Sequence, residues 1–138
     1  MRRTRRGARG QGLAEFALIF PIFILLLVIV FDFGRAIYAH HTIANAARGG
    51  ARVAIVDQAP GPIRATALAE TVGLNPDDIS VDLTALTSSC VTLKIGCEAE
   101  VTVTYDFRPL TPIVGNIIGP MTLSATTRFP IERVYTSP

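Results

Sequence analysis

The sequence predicts an α+β protein in which one long helix, a short second helix and a small antiparallel sheet follow one another. Three observations predict this class. An apolar run near the amino terminus is long enough to cross a membrane, an alanine-rich helical pattern follows it, and apolar residues alternate with polar ones from Ile79 onwards. Helical and strand periodicities that occupy separate parts of a chain are typical of α+β folds. With 138 residues, the chain has room for one small domain beside the apolar segment.

The apolar run covers residues 13–31 and contains one charged residue, Glu15. As a helix these nineteen residues would be about 28 Å long, close to the ~30 Å hydrocarbon core of a bilayer. A cleaved secretory signal has a shorter apolar region with a small-x-small site directly after it, whereas the first Ala-x-Ala here is residues 44–46. We therefore predict a transmembrane helix over residues 11–31. Pro21 lies inside it and either kinks it without further consequence or marks a point at which it bends or stretches.

The basic residues near the amino terminus indicate the orientation of this helix. Residues 1–10 contain five arginines and no acidic residue, and without them eight basic and eleven acidic residues remain, a net charge of −3. The folded domain is therefore not basic, which argues against nucleic-acid binding. Because basic residues beside a membrane helix stay in the cytoplasm, we expect a cytoplasmic amino terminus and an extracytoplasmic domain over residues 32–138.

The helix is predicted to continue beyond the apolar run to about Val56 or Asp57. Gly49 and Gly50 cost about 1 kcal/mol each in helix propensity and mark a position where it could break. One face of this part is polar, with His41, Asn45, Arg48 and Arg52. Another is apolar and mostly small, with Ala36, Ile43, Ala47, Gly50 and Ala54, and should pack against the sheet. A loop over residues 59–62 precedes a second helix that begins at Pro62 and ends at Gly73.

Four half-buried strands are predicted where the period is two. They cover residues 79–84, 91–95, 101–105 and 123–127. Between the last two, residues 109–120 read as a loop punctuated by proline and glycine. Its tip is unusually apolar for a solvated loop, and we predict that it contacts a partner. The tip contains Ile113, Val114, Ile117 and Ile118.

The two cysteines, Cys90 and Cys97, lie in the predicted extracytoplasmic part, where oxidation is permitted. A disulfide between them would close a short loop and contribute about 2–3 kcal/mol in the chain-entropy description. Two free thiols are the alternative, and a metal site built from two thiols alone is not expected.

Catalytic and cofactor motifs are not convincing in this chain. Asp32-Phe33-Gly34 spells a kinase motif, but the other kinase motifs do not accompany it. His40 and His41 are adjacent, so on a helix they point about 100° apart and do not form a metal pair. We predict no enzymatic activity, no metal, no cofactor and no small-molecule substrate.

The start of the predicted membrane helix resembles the cleavage region of prepilins. Its residues 10–16 (GQGLAEF) place a glycine, Gly10, five positions before the pair Glu15-Phe16. Together with residues 32–35 (DFGR) and 46–52 (AARGGAR), it resembles the TadE-like family, the minor pilins or pseudopilins of the Tad (Flp) tight-adherence pilus. The resemblance implies a pilin-like fold, a bacterial cell membrane location, and cleavage between Gly10 and Gln11 by a prepilin peptidase. It also implies roles in processing and assembly for Glu15 and Phe16, with other pilins and Tad pilus components as partners.

The position of Glu15 fits that implication. A charge close to hydrocarbon is costly, and cleavage after Gly10 would create an α-amino group near it. Glu15 could neutralise that amine on its own chain or on a neighbouring subunit; alternatively, it is an interfacial carboxylate that reaches water. Two functions therefore remain open, a minor pilin and a stably anchored extracytoplasmic binding or adhesin module. The Gly-x-x-x-x-Glu register favours the first, because an anchor does not need it.

Overall fold

The computed structural model describes residues 8–85 and 94–134, and within them the predicted α+β class is confirmed. The helices are α1 (Ala8–Ala54), α2 (Pro60–Ala69) and α3 (Pro112–Ile118), and the strands are β1 (Ile79–Ala85), β2 (Glu98–Phe107) and β3 (Met121–Pro130). A single 3-10 turn, Pro76–Asp78, leads into β1.

Helix α1 is one continuous element of 47 residues, about 70 Å long at 1.5 Å per residue. It passes through Pro21 and also through Gly49 and Gly50, so the break considered at the two glycines does not occur. A Cβ on Gly50 would lie 3.3 Å from Cγ1 of Val101. The sheet therefore packs directly on this part of the helix, and tertiary packing outweighs the weak helix propensity of glycine.

Helix α2 begins two residues earlier than predicted and ends at Ala69, before the predicted end at Gly73. Pro60 can occupy the first helical turn as well as Pro62 can, because its missing N–H would have no partner there. At the other end, the Glu70 N–H bonds the carbonyl of Ala67 at 3.1 Å. Gly73 has a φ of +81° and belongs to the turn that follows.

The sheet has the order β1-β2-β3, with both pairs antiparallel. In the register, Val81 lies opposite Val103, and Val103 lies opposite Ala125. Alternate residues of the central strand β2 are buried against the helices, as expected for a sheet with one covered face. The largest fully buried side chains of the described residues are Ile43, Ile63, Val101, Val103 and Ile131.

Two predictions for the second half of the chain need correction. The strand over residues 91–95 falls largely outside the described residues, but Ile95 lies in a turn that the Cys97 N–H closes on the Lys94 carbonyl. The segment 109–120 is not an irregular loop throughout, because it contains α3. Pro112 suits the first turn of a helix, and Gly119, with a φ of +75°, ends it.

Candidate functional site

The first turns of α1 contain the predicted cleavage position. Helix α1 begins at Ala8, so the bond between Gly10 and Gln11 lies within helical backbone. A Cβ on Gly10 or on Gly12 would meet nothing within 4 Å. Packing within the chain therefore does not require glycine at either position.

Glu15 and Phe16 lie on the next turn, and both are exposed. The Gln11 side-chain amide donates to Oε1 of Glu15 over 3.3 Å, as residues four apart on a helix can. The Phe16 ring lies 5.1 Å from that of Phe20. The four residues predicted to act in processing and assembly thus form one exposed stretch at the end of α1.

Most of the apolar part of α1 is exposed, and none of it is packed into the core of the domain. Its most apolar 18-residue window has a mean hydropathy of 2.9, and none of that window is buried. Side chains such as Leu18 and Phe31 are 73% exposed. By length and composition this part of the helix could cross a membrane.

The opposite end of the apolar part meets the connection between β2 and β3 at Asp32. This carboxylate is buried, and it accepts hydrogen bonds from the N–H groups of Leu110 (3.1 Å) and Thr111 (3.3 Å). The Thr111 hydroxyl donates a further, short hydrogen bond to it. Asp32 therefore holds the start of the β2–β3 connection against α1. Sequence reasoning missed this role, although an acidic residue directly after an apolar span was a signal for it.

The environment of Asp32 favours its charged form. The hydrogen bond from the Thr111 hydroxyl is the main cause that holds the pKa of the Asp32 carboxyl below its ordinary value, with the two backbone N–H groups and Arg35 adding to it against the effect of burial. Arg35 Nη1 lies 3.4 Å from Oδ1 of Asp32, and its guanidinium carbon lies 5.5 Å from the centre of the Phe107 ring. Arg35 thus joins Asp32, on its own helix α1, to Phe107 at the end of β2.

Helix α3 rests beside this junction. Val114 is half-buried and Ile118 is 58% exposed. Both line a small apolar cleft whose other walls include Phe33 of α1 and Phe107 of β2. The side chains of Ile113 and Ile117 lie outside what the structure describes. Part of the predicted contact surface is therefore already occupied by α1, and the predicted partner contact stays a prediction.

The remaining predicted residues lie elsewhere in the domain. The predicted polar face of α1 is exposed, and Arg48 donates to Oδ1 of Asn45 over 2.8 Å. Cys97 is buried and is not a free thiol. Its predicted partner, Cys90, lies outside the described residues, so this disulfide stays a prediction. Over the described ranges, no group of three or more His, Cys, Asp or Glu residues is arranged to hold a metal ion.

Comparison with known proteins identifies one family. Residues 10–52 match the model of the TadE-like protein family. No curated protein and no solved structure matches the chain. The matched residues include the Gly10–Glu15 register, Asp32 and the packed glycine Gly50. The resemblance predicted from the motifs is therefore confirmed over residues 10–52, which are similar to the TadE-like family and which the fold joins to a three-stranded sheet.

Proposed function

We propose that this protein is a membrane-inserted structural subunit of Tad pilus assembly, a minor pilin or pseudopilin that supports adhesion and is not an enzyme. The observation that carries the proposal is the register of Gly10 and Glu15 at the exposed head of an apolar helix in a TadE-like segment. In this proposal α1 spans the cell membrane with its amino terminus in the cytoplasm, and the domain lies outside.

The glycines at the helix start support cleavage after Gly10. A peptidase must bind the peptide in an extended form, so the first helical turns have to unwind. Gly10 and Gly12 each lower helix stability by about 1 kcal/mol. Neither glycine is needed for packing. Their common effect is to lower the free energy that is needed to unwind this end of α1.

Cleavage would change the charge near Glu15. The new amino group on Gln11 would be one helical turn from Glu15 along the chain, on the same side of the helix. A carboxylate and an ammonium group that are each costly near lipid become tolerable when they pair. Pairing with the amine of a neighbouring subunit would give each new subunit an electrostatic partner during assembly.

The mass of the mature amino-terminal peptide tests the processing step. In cells that contain the cognate peptidase, we expect a chain that begins at Gln11, and Gly10→Val should retain the arginine-rich leader. Gly34→Val is the matched control, because Gly34 also lies in α1 with nothing within 4 Å of an added Cβ. An intact leader on the wild-type chain from such cells would reject the proposal.

The assembly role of Glu15 is tested separately. Glu15→Ala should still insert into the membrane but should fail to join the pilus machinery, since the new amine would lack its partner. Gln11→Ala is a useful comparison, because it removes the side chain that contacts Glu15 and keeps the amine. Normal piliation and surface adhesion with Glu15→Ala would exclude this role.

A further inference from the structure

We propose that α3 and the residues directly before it insert into the outer leaflet of the membrane that α1 spans, so that the domain has a second, shallow lipid contact. This inference rests on the proposed function, because it takes the apolar part of α1 to lie in lipid. The partner it assigns to this surface is the lipid bilayer itself, not another protein.

The composition and exposure of the segment fit lipid. Residues 109–121 contain no charged side chain. Leu110 is 77% exposed and Ile118 is 58% exposed. Large apolar side chains that are exposed close together mark membrane or protein contact surfaces, and the absence of charge removes the main cost of entering the headgroup region.

The depth of the segment is set by its neighbours on α1. Thr111 and Pro112 line an apolar groove together with Ile24, Leu25 and Val28, which lie three to seven positions before Phe31, where the apolar run ends. At 1.5 Å per residue, this part of the segment lies up to about 5–10 Å below the end of the run. Ile118 lines a cleft with Ile29 and Phe33, so the far end of α3 lies level with the end of the run. Interfacial helices lie about 5–10 Å deep at the boundary between headgroups and acyl chains.

The hydrogen bonds of the segment also suit this depth. Backbone N–H groups that leave water need partners inside the protein. The N–H groups of Leu110 and Thr111 have one in the Asp32 carboxylate, and the N–H of Gly115 bonds the Thr111 carbonyl at 2.8 Å. Because Thr111 and Pro112 share an apolar groove with residues of the apolar run of α1, one lipid leaflet would cover both.

Fluorescence quenching in vesicles tests this placement, since the chain contains no tryptophan. Single tryptophans would be introduced as Ile118→Trp and Leu110→Trp in the full chain, reconstituted in phosphatidylcholine vesicles that carry bromine at a shallow or a deep acyl position. Phe20→Trp, within the apolar run, reports the span. Ser124→Trp, on the exposed face of β3, reports the solvated domain.

We expect shallow bromines to quench the tryptophans at 118 and 110 several-fold more than the one at 124, and deep bromines to quench the one at 20 most. If position 20 is quenched but 118 and 110 are not, the shallow contact is wrong and the span stands. If position 124 is quenched as strongly as 118, the inference is also wrong, because the contact is not specific to α3. If position 20 is not quenched, the span and the proposed function fail together with it.

Discussion

The two halves of α1 both contain many apolar residues, but those residues are exposed in the first half and buried on one face of the second. In residues 13–31 the side chains are large and exposed, as in Phe16, which is 60% exposed. In residues 36–54 the apolar residues are mostly alanine, and Ala46 and Ala47 are fully buried against the domain. Residues 36–54 also carry a polar face, and among the apolar residues of the two halves it is side-chain size that separates those that face outward from those that the sheet covers.

With residues 13–31 in lipid, as proposed, the difference follows from how lipid and a sheet each fill space. Lipid chains are fluid and adapt to bulky side chains, whereas a sheet must approach the helix axis closely to bury its own large residues. Gly50 permits that approach, since even a methyl group there would lie 3.3–3.4 Å from Val101, Ala67 and Ile63. Asp32, between the two halves, holds the β2–β3 connection against α1.

The largest expected effect comes from placing a charge in the outward-facing half. Ile22→Lys, near the middle of the apolar run, should cost about 2.5–3.5 kcal/mol in membrane insertion, about a hundredfold in the insertion equilibrium. The fraction that resists alkaline extraction from membranes measures this. Thr126→Lys, on the exposed face of β3, should extract like the wild type. If the wild type is itself extracted as readily as Ile22→Lys, this half is not in lipid.

Overpacking the covered half should have the next largest effect. Ala47→Leu adds three carbon atoms where the structure leaves no space, so the free energy of unfolding should fall by about 1–3 kcal/mol. His41→Leu introduces the same residue on the exposed polar face and should change stability by less than about 0.5 kcal/mol. Denaturant titrations in detergent compare the two, and similar midpoints would contradict the packing described for this half.

The junction between the halves should respond to pH. Because the pKa of Asp32 is lower in the folded protein than in the unfolded chain, its carboxylate contributes stability above the unfolded value of about 3.9, and this is lost as the pH falls through the folded value. The protection of the Leu110 and Thr111 amides, which is their exchange rate relative to that of an unfolded amide at the same pH, should therefore fall in acid. In Asp32→Asn, these two amides should exchange several-fold faster at neutral pH, and their protection should depend less on pH. If the pH dependence of protection is unchanged in this variant, Asp32 does not cause it.

The smallest expected effect is a change in melting temperature on substitution of the two adjacent glycines, Gly49 and Gly50. Gly49→Ala gains helix propensity of about 0.5–1 kcal/mol, and its new methyl group meets only the carboxylate end of Glu70, which can move aside. Gly50→Ala makes the same gain but meets three buried side chains. We therefore expect a higher melting temperature for Gly49→Ala and a lower one for Gly50→Ala. The reverse order would place the close helix–sheet approach elsewhere.

Sequence periodicity predicted most of this architecture, because α1 and the strands around Val81, Val103 and Leu123 each repeat a regular pattern. It failed where a tertiary contact decides the outcome. The continuity of α1 at Gly49 and Gly50 depends on the sheet packed against it. Helix α3 has only seven residues, which is too short for a clear periodic signal.

The features of the candidate site also fall into those that the sequence predicted and those that depend on a tertiary contact. The register of Gly10 and Glu15 is local and readable in the sequence, and residues 10–52 match the TadE-like family. The contact between Asp32 and Thr111 joins positions 79 residues apart. No local pattern specifies such a pair, so only the folded chain reveals that Asp32 binds the β2–β3 connection.

Hydrogen exchange along α1 in lipid, at rising denaturant concentration, tests most directly whether one helix is stabilised in two different surroundings. We predict that residues 39–54 lose protection together with the sheet, while residues 16–31 stay protected because lipid is not removed with the domain. Loss of protection in both halves at the same denaturant concentration, or free exchange of residues 16–31 from the start, would contradict the account.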